Sequence, residues 1–328
     1  RNIIINGDMS IAQRGTSTTN ADTGYRTCDR WRLSRGAGTI TMSQDTNVPT
    51  GQGFAKSLKF LEAGSGANPG ASDANIITQR IEGQNLQYLL KGTSSAKSLI
   101  LSFWIKASVT GTYIANLTDD DNSRFISKAY TVSSANTWEY KTITFEGDTT
   151  GAFANDNGRS LDINLYFGAG SNFTSGTLNT SWNSYTAANQ AVGQVNPLAS
   201  VNGYVQWTGI QLEAGTTASD FEFLPHDVNL RRCQRYYHHT FNEGTVYDTT
   251  TDVGKFQTIG EGNIANRQYM YYYPTPMRTT PTATFTQVDI DGGGTASTTA
   301  LSGSQHFVVN GSGNGRRLTF HCKCEAEL

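Results

Sequence analysis

Short segments in which apolar and polar residues alternate recur along almost the whole chain, and they limit the possible folds more than any other feature. A period of two is typical of β-strands with one buried face, and stretches with the 3.6-residue period of a helix are nearly absent. About ten such segments precede residue 215, at 29–35, 39–44, 55–61, 75–81, 98–107, 112–117, 124–132, 137–146, 161–168 and 204–214. The sequence therefore predicts an all-β protein.

The number of strands and the lack of helical crossovers favour two antiparallel sheets packed face to face, as in a jelly roll. We expect this β-sandwich to occupy residues 1–225, with the non-alternating segment 171–200 as a long loop over one end or edge. Proline at Pro225 ends the strand pattern, and Asp227 is placed to cap a short helix that runs through Cys233. A smaller all-β C-terminal domain over 226–328 is predicted to follow, with strands at 234–241, 254–259, 267–273, 282–290, 305–309 and 316–324.

Composition excludes several classes of function. The formal net charge is -2 and no long run of lysine or arginine occurs, which argues against a nucleic-acid partner. No apolar stretch approaches the ~20 residues that a membrane-spanning helix needs, so we expect no membrane insertion. The four cysteines are too few and too irregularly spaced for a disulfide scaffold and are predicted to be buried thiols. A C-terminal domain of this size would gain from burying a face against copies of itself, which favours a homo-oligomer.

Several segments form a recognisable set: NIIINGDM at 2–9, AQRG at 12–15, DRW at 29–31, QRIEGQNL at 79–86, LSFWIKA at 101–107, NTWE at 136–139, GIQLEAG at 209–215 and CQRYY at 233–237. As a set they resemble domains of tail-fibre and other virion proteins of marine and cyanobacterial phages. The strand set also resembles the jelly-roll carbohydrate-binding modules of glycan-degrading enzymes. These resemblances imply a virion protein, in a tail fibre or at the particle surface, that attaches to a host-surface glycan without catalysis. The segment PTPMRTTP at 274–281 is similar to the end domains of phage fibres, which commonly trimerise, and implies a homotrimer.

The alternation also indicates which side chains point away from the core of the sandwich. An aromatic ring can stack on the apolar face of a pyranose, and amide, carboxylate and guanidinium groups can bind its hydroxyls. The predicted outward residues of these types are Trp104, Tyr140, Tyr166 and Trp207, with Arg80, Asn164, Gln211 and Glu213. Trp182 and Tyr185 in the long loop are further candidates for glycan binding. In the alternative interpretation a loop, the next domain or a neighbouring subunit covers these aromatics, and a β-bulge would exchange the faces downstream.

One acidic turn offers possible metal ligands, and the sequence contains no recognisable catalytic motif. Asp119, Asp120, Asp121 and Asn122 offer oxygen ligands of the kind that Ca²⁺ prefers, although acidic turns are also often simply solvated. The likeness to sugar modules implies a structural calcium here; no other cofactor is expected. No hydrolase or phosphate-binding motif occurs, so the protein is predicted not to be an enzyme. Two alternatives stay open: a purely structural head-decoration or tail-adaptor protein, whose partners are other virion proteins, and a glycan depolymerase with carboxylates far apart in sequence.

Overall fold

The computed structural model describes residues 2–259, 267–290, 294–299, 302–313 and 317–328. Residue 1, where the predicted sandwich begins, and residue 316, where the last predicted strand begins, lie outside the described residues. The chain divides into two compact units, one made of Arg1–Ala12, Thr16–Leu224 and Leu328, the other of Gln13–Gly15 and Pro225–Glu327. Antiparallel strands dominate both, which confirms the all-β class. None of the described helices has the length and apolarity of a membrane span.

The first unit consists of short and medium strands with little helix. Its strands are β1 Ser17–Thr18, β2 Gly24–Tyr25, β3 Arg32–Ser34, β4 Ile40–Asp45, β5 Ser57–Glu62, β6 Ala74–Glu82, β7 Leu99–Ala107, β8 Gly111–Asp119, β9 Arg124–Val132, β10 Glu139–Phe145, β11 Arg159–Ala169, β12 Asn183–Ser184 and β13 Tyr204–Ala214. Its helical turns are α1 Ser171–Thr174 and three 3₁₀ turns at Gly83–Asn85, Gln87–Leu89 and Ala187–Asn189. All ten predicted strand segments correspond to one of these strands.

Two antiparallel sheets form the sandwich, as the sequence predicts. The six-stranded sheet has the order β1-β4-β5-β13-β7-β10, and the seven-stranded sheet the order β12-β9-β8-β11-β6-β3-β2. Phe60 of the first sheet stacks on Phe167 of the second with ring centroids 4.8 Å apart, inside one continuous apolar core. Full burial of side chains of this size contributes about 1.5–3 kcal/mol each, so the shared core holds the two sheets together.

A β-bulge in β13 overturns the predicted orientation of Trp207. Thr208 pairs with Trp104 and Gln211 with Ser102, so β13 has one more residue than β7 over this interval. The extra residue is accommodated at Gly209, whose φ of 62° lies in the left-handed region that glycine adopts most readily. Trp207 therefore points inward and is 0% exposed, and the prediction that it faces outward is wrong.

The segment that follows β11 covers the outer face of the seven-stranded sheet, rather than only an end or edge of the sandwich. Tyr166 does point away from the main core, but it forms a separate buried cluster with Ile114 and Ala191. Its hydroxyl donates to Gln190 Oε1 at 2.5 Å, and the Ser127 hydroxyl donates to the backbone oxygen of the same glutamine at 2.8 Å. The alternative in which a loop covers an outward aromatic therefore applies to Tyr166.

The second unit opens with a helix and continues as strands. These elements are α2 His226–Gln234, β14 Tyr237–His239, β15 Phe256–Ile259, β16 Arg267–Tyr272, β17 Thr282–Ile290, β18 Gly294–Thr298, β19 His306–Gly313 and β20 Arg317–Glu325. In the described residues, β20 pairs with β14, β15 and β17, and β19 pairs with β16 and β18. The side chain of Asp227 makes no capping bond; it lies in the first helical turn, where its charge complements the helix dipole.

All four cysteines are buried and form no disulfide, as predicted. Cys322 and Cys324 share the apolar core of the second unit with Phe307 and Phe320. A hydrogen bond with Cys324 and burial both raise the pKa of Cys322, which keeps it a neutral thiol. The ring of His321 faces elsewhere and stacks on Phe241 with centroids 3.7 Å apart. Residues 321–324 are therefore part of a core strand, β20.

Candidate functional site

Two aromatic side chains lie together on the outer face of the six-stranded sheet. Trp104 in β7 and Tyr140 in β10 are register partners, with ring centroids 5.3 Å apart and planes inclined by 45°. Phe103, next to Trp104, and Ile143, three residues after Tyr140, lie in the core, so the pleat directs both rings outward, as predicted. Tyr140 is 45% exposed, and Trp104 is partly buried beside it.

A surface cleft of about 760 Å³ opens beside this pair. Its floor is made of outward side chains of β7 and β10, and its walls come from residues 51–54 and 216–223. The residues that line it are Gly51, Gln52, Phe54, Ile100, Ser102, Trp104, Tyr140, Thr142, Thr144, Gly209, Thr216, Thr217, Ala218, Ser219, Asp220, Phe221 and Phe223. The cleft thus combines aromatic rings with hydroxyl groups on a pleated sheet.

Three phenylalanines form one wall of the cleft. Phe54 lies 5.1 Å from both Phe221 and Phe223, and those two lie 4.9 Å from each other, centroid to centroid. Phe223 is 50% exposed despite these contacts. Sequence reasoning missed this wall, because the segment lies beyond the last predicted strand of the sandwich. The alternation of Phe221 and Phe223 around Glu222 was the available signal that both rings share one face.

Gln211 and Glu213 lie behind this wall and hold it in place. The Ser219 hydroxyl donates to Glu213 Oε1 at 2.6 Å, and the Glu222 amide donates to Gln211 Oε1 at 2.8 Å. Burial alone would raise the pKa of Glu213, but hydrogen bonds from Ser219 and Gln211 outweigh it and hold the pKa below its ordinary value. Both side chains are buried. The prediction that they face away from the core is right, but they contact the 216–222 segment and position the cleft wall.

Asn164 lies on the other sheet and therefore on the opposite side of the sandwich. It accepts a hydrogen bond from Thr78 Oγ1 at 2.7 Å and donates to Asn116 Oδ1 at 3.1 Å and to Thr118 Oγ1 at 3.2 Å. These bonds join β6, β8 and β11 across the outer face. Together with Tyr166, which is 1% exposed, this ladder is separated from Trp104 by the whole core.

Arg80 also belongs to the seven-stranded sheet. It lies 4.0 Å from Asp162 and donates a hydrogen bond to the backbone oxygen of Leu328. Asp162 in turn accepts two hydrogen bonds from Arg159, at 2.8 and 2.5 Å. Arg80 is therefore part of an ionic network away from the cleft.

The two loop candidates differ from each other. Trp182 packs against the core, and its indole nitrogen donates to the backbone oxygen of Glu146 at 2.7 Å, so this side chain anchors the loop. Tyr185 is 51% exposed and lies 5.9 Å from the ring of Phe125. Neither residue lines the cleft beside Trp104.

The acidic turn considered for calcium does not gather its oxygens around one point. Asp119 is buried and bound by Lys91 Nζ at 2.5 Å, Asp120 lies 3.1 Å from Arg159 Nη1, and Asp121 accepts the Ala154 amide at 2.9 Å. Asn122 donates to Asp119 at 2.9 Å. The described residues contain no group of three acidic, histidine or cysteine side chains arranged to hold a metal ion. These donors do not fit a calcium site, because the Lys91 ammonium already neutralises the buried carboxylate.

No protein-family profile matches the chain, and no curated protein matches it in sequence. The solved structures that are similar to it include the following three. The enzymatically active domain of bacteriophage CBA120 tailspike protein 4 has a TM-score of 0.38 at 15% identity, over 65% of this chain and 21% of that one. TmCBM61 in complex with β-1,4-galactotriose has a TM-score of 0.33 at 11% identity, over 65% and 99%. A family 11 carbohydrate-binding module from Clostridium thermocellum, in complex with a β-1,3-1,4-mixed-linked tetrasaccharide, has a TM-score of 0.31 at 11% identity, over 62% and 99%.

The chain thus spans about a fifth of the length of the tailspike chain and nearly the whole length of the two modules. At these identities the similarity concerns the fold and no further property.

Proposed function

We propose that the chain is a non-catalytic glycan-binding protein that holds a stretch of polysaccharide in the cleft beside Trp104 and Tyr140. The observation that carries this proposal is the pairing of two outward rings with a row of hydroxyl groups on one sheet face. A pyranose offers a C–H face for stacking and hydroxyls at its edge for hydrogen bonds. Ser102, Thr142 and Thr144 can both donate to and accept from those hydroxyls.

The size of the cleft supports the same assignment. Its volume of about 760 Å³ lies within the range of ~300–1,000 Å³ that is typical of small-molecule sites. Strands rather than mobile loops supply its floor, so the ring positions are fixed before a ligand arrives, which reduces the entropy lost on binding.

The charges of the cleft favour binding over hydrolysis. Among its described lining residues, Asp220 is the one carboxylate. Cleavage of a glycosidic bond generally needs two carboxyl groups about 5–9.5 Å apart on either side of the bond. The nearby Glu213 is already bound by Ser219 and Gln211. This supports the non-catalytic proposal over the depolymerase alternative.

The biological setting that we propose is the surface of a phage particle, where the cleft attaches to polysaccharide of the host and the chain assembles as a homotrimer. Support for this setting comes from the sequence segments given above, such as 2–9 and 79–86, and from the short C-terminal likeness at 274–281. In the structural alternative the face around Tyr140 and Phe223 is buried against another virion subunit. The exposure of these two rings supports that alternative as well.

A binding experiment separates these roles. Isothermal titration of the full chain with neutral β-glucan, galactan, mannan and xylan oligosaccharides is expected to find a ligand that Trp104→Ala weakens at least about tenfold, as loss of an aromatic contact predicts. Tyr185→Ala is the control, because that ring is exposed on the protein surface but lies away from the cleft. Binding that both variants leave unchanged would contradict the site. If no glycan binds and Trp104→Ala instead dissociates an oligomer in size-exclusion chromatography, the structural role is correct.

A further inference from the structure

A second cavity, of about 560 Å³, lies on the same outer face of the six-stranded sheet. It is lined by Asp45, Thr46, Asn47, Lys59, Lys106, Tyr204 and Gln206, and we call it the Lys59–Lys106 pocket. Gln206 of β13 pairs with Lys106 of β7 on one side and with Lys59 of β5 on the other. Side chains two residues apart on a strand share a face, so Lys106 follows Trp104 one step along the sheet. The pocket therefore extends the face that carries the cleft.

The charge of this pocket differs from that of the cleft. It contains two lysines and one aspartate. Lys59 Nζ lies 3.5 Å from Asp45 Oδ2, whereas Lys106 Nζ has a neutral acceptor, Asn47 Oδ1, at 3.2 Å. The same Asn47 oxygen accepts a bond from the Trp138 indole at 2.9 Å. The carboxylate of Asp45 therefore neutralises one ammonium group, and one positive charge of the pocket is left over.

A buried donor points to the same kind of ligand. Gln206 is 2% exposed, lines the pocket, and its Nε2 has no hydrogen-bond acceptor among the described residues. A buried donor without an acceptor is unfavourable, and a ligand oxygen would satisfy it. Across the sheet, Gln206 lies between Lys59 and Lys106. The positive charge of these two ammonium groups favours an anionic oxygen as the acceptor.

Tyr204 supplies a fixed aromatic ring beside these donors. Its hydroxyl donates to Asn136 Oδ1 at 2.7 Å, and Lys59 Nζ lies 5.2 Å from the ring centroid. The pocket thus has the two elements that a sugar residue needs, an aromatic surface and polar groups beside it.

We infer that the Lys59–Lys106 pocket binds an acidic sugar residue, so that the glycan held by this face carries carboxylate or sulfate groups. The ammonium groups of Lys59 and Lys106 contact the anionic group, Gln206 Nε2 donates to it, and the neighbouring sugar residues occupy the cleft beside Trp104. This inference rests on the proposed function, because it names the class of glycan that the same face binds. A uronic-acid carboxylate and a sulfate ester share the chemistry that the pocket recognises.

Matched acidic and neutral probes test the inference. The full chain is titrated with oligogalacturonate and its fully methyl-esterified form, and with sulfated and unsulfated galactan oligosaccharides. We expect at least one acidic member to bind about tenfold more tightly than its neutral partner, since charge-assisted hydrogen bonds are stronger than neutral ones. The acidic member that is preferred identifies carboxylate or sulfate as the recognised group. This preference is expected to fall as salt is added.

Variants locate the preference in the pocket. Lys106→Gln and Lys59→Gln are each expected to weaken binding of the acidic member about tenfold and so to remove the preference for it. Lys97→Gln, an exposed lysine before β7, changes net charge equally and is expected to leave the preference intact. The inference is wrong if both members of each pair bind with equal affinity, or if Lys106→Gln and Lys97→Gln have equal effects. The proposed function still stands in that case, provided that neutral glycans bind and that Trp104→Ala weakens their binding. If neither neutral nor acidic glycans bind, both proposals are wrong.

Discussion

Trp104 and Tyr140 face each other directly across the β7–β10 pair, with their ring centroids 5.3 Å apart. Antiparallel pairing fixes this relationship, because the side chains of two residues that lie directly opposite each other are on the same face of the sheet and within contact distance. The rings therefore form one continuous surface whose position depends on the sheet and not on a loop.

The first prediction concerns this pair. Trp104→Ala and Tyr140→Ala are each expected to weaken glycan binding by roughly tenfold, about 1.4 kcal/mol. The double variant should lose less than the sum, because residues in contact with each other and with one ligand are coupled. Titration calorimetry of the four proteins measures the coupling. Strict additivity would contradict this coupling.

The bulge at Gly209 is predicted to support both stability and the cleft. A Cβ atom there would lie 2.5 Å from Phe54 Cζ, and the residue has a φ of 62°. Gly209→Ala is expected to destabilise the fold by at least about 1–2 kcal/mol from the left-handed conformation alone, and to weaken binding by displacing Phe54. Gly303→Ala is the control, because nothing lies within 4 Å of its added Cβ atom. Equal urea unfolding midpoints for the two variants would contradict this role of the bulge.

Lys91 is predicted to be indispensable for stability. Its buried ammonium lies 2.5 Å from Asp119 and 3.1 Å from Asp148. Lys91→Met should lower the free energy of unfolding by about 3–5 kcal/mol, because it leaves the buried carboxylate of Asp119 without its cation. Lys128→Met, which removes an ion pair with the exposed Glu146, should cost no more than about 1 kcal/mol. Urea denaturation of both variants makes the comparison, and similar losses would show that Lys91 is not the centre of this network.

Asp148 is predicted to make the free energy of unfolding fall as the pH is lowered. Burial would raise its pKa, but hydrogen bonds from Arg124, the Thr150 amide and Lys91 outweigh burial and lower the pKa from its ordinary 3.8. A carboxyl group whose pKa is lower in the folded state than in the unfolded state stabilises the fold at pH values above its unfolded-state pKa. This stabilisation is lost as the pH falls through the folded-state pKa. Between pH 5 and pH 3, wild type should therefore lose more unfolding free energy than Asp148→Asn does. Parallel pH profiles of the two proteins would contradict this assignment.

Much of the fold could be predicted because local patterns report burial directly. The segments 124–132, 204–214 and 282–290 coincide with β9, β13 and β17, since each is rich in β-branched and aromatic residues and lies between turn-forming residues. Strands of two residues, such as Ser17–Thr18 and Asn183–Ser184, and the Gly294–Thr298 strand carry too little pattern to be recognised.

The candidate site was harder to predict, because alternation indicates which side of a strand faces the core but not which of the two sheets contains that strand. Trp104 and Tyr166 both point outward, yet they lie on opposite sides of the sandwich because β7 and β11 belong to different sheets. A single bulge at Gly209 places Trp207 in the core, and the segment that follows β11 covers Tyr166. Lys59 and Gln206 were not singled out, since their neighbourhood appears only when β5, β13 and β7 are aligned.

The central claim is that a glycan binds the outer face of the six-stranded sheet beside Trp104. Each tryptophan indole N–H gives its own NMR signal, and the chain has five tryptophans, of which Trp31 and Trp207 are fully buried. Titration with the glycan identified by calorimetry should shift the Trp104 signal, assigned through Trp104→Phe, and leave those of Trp31 and Trp207 in place. A saturating titration that leaves the Trp104 signal unmoved, or moves that of Trp182 instead, would contradict the claim.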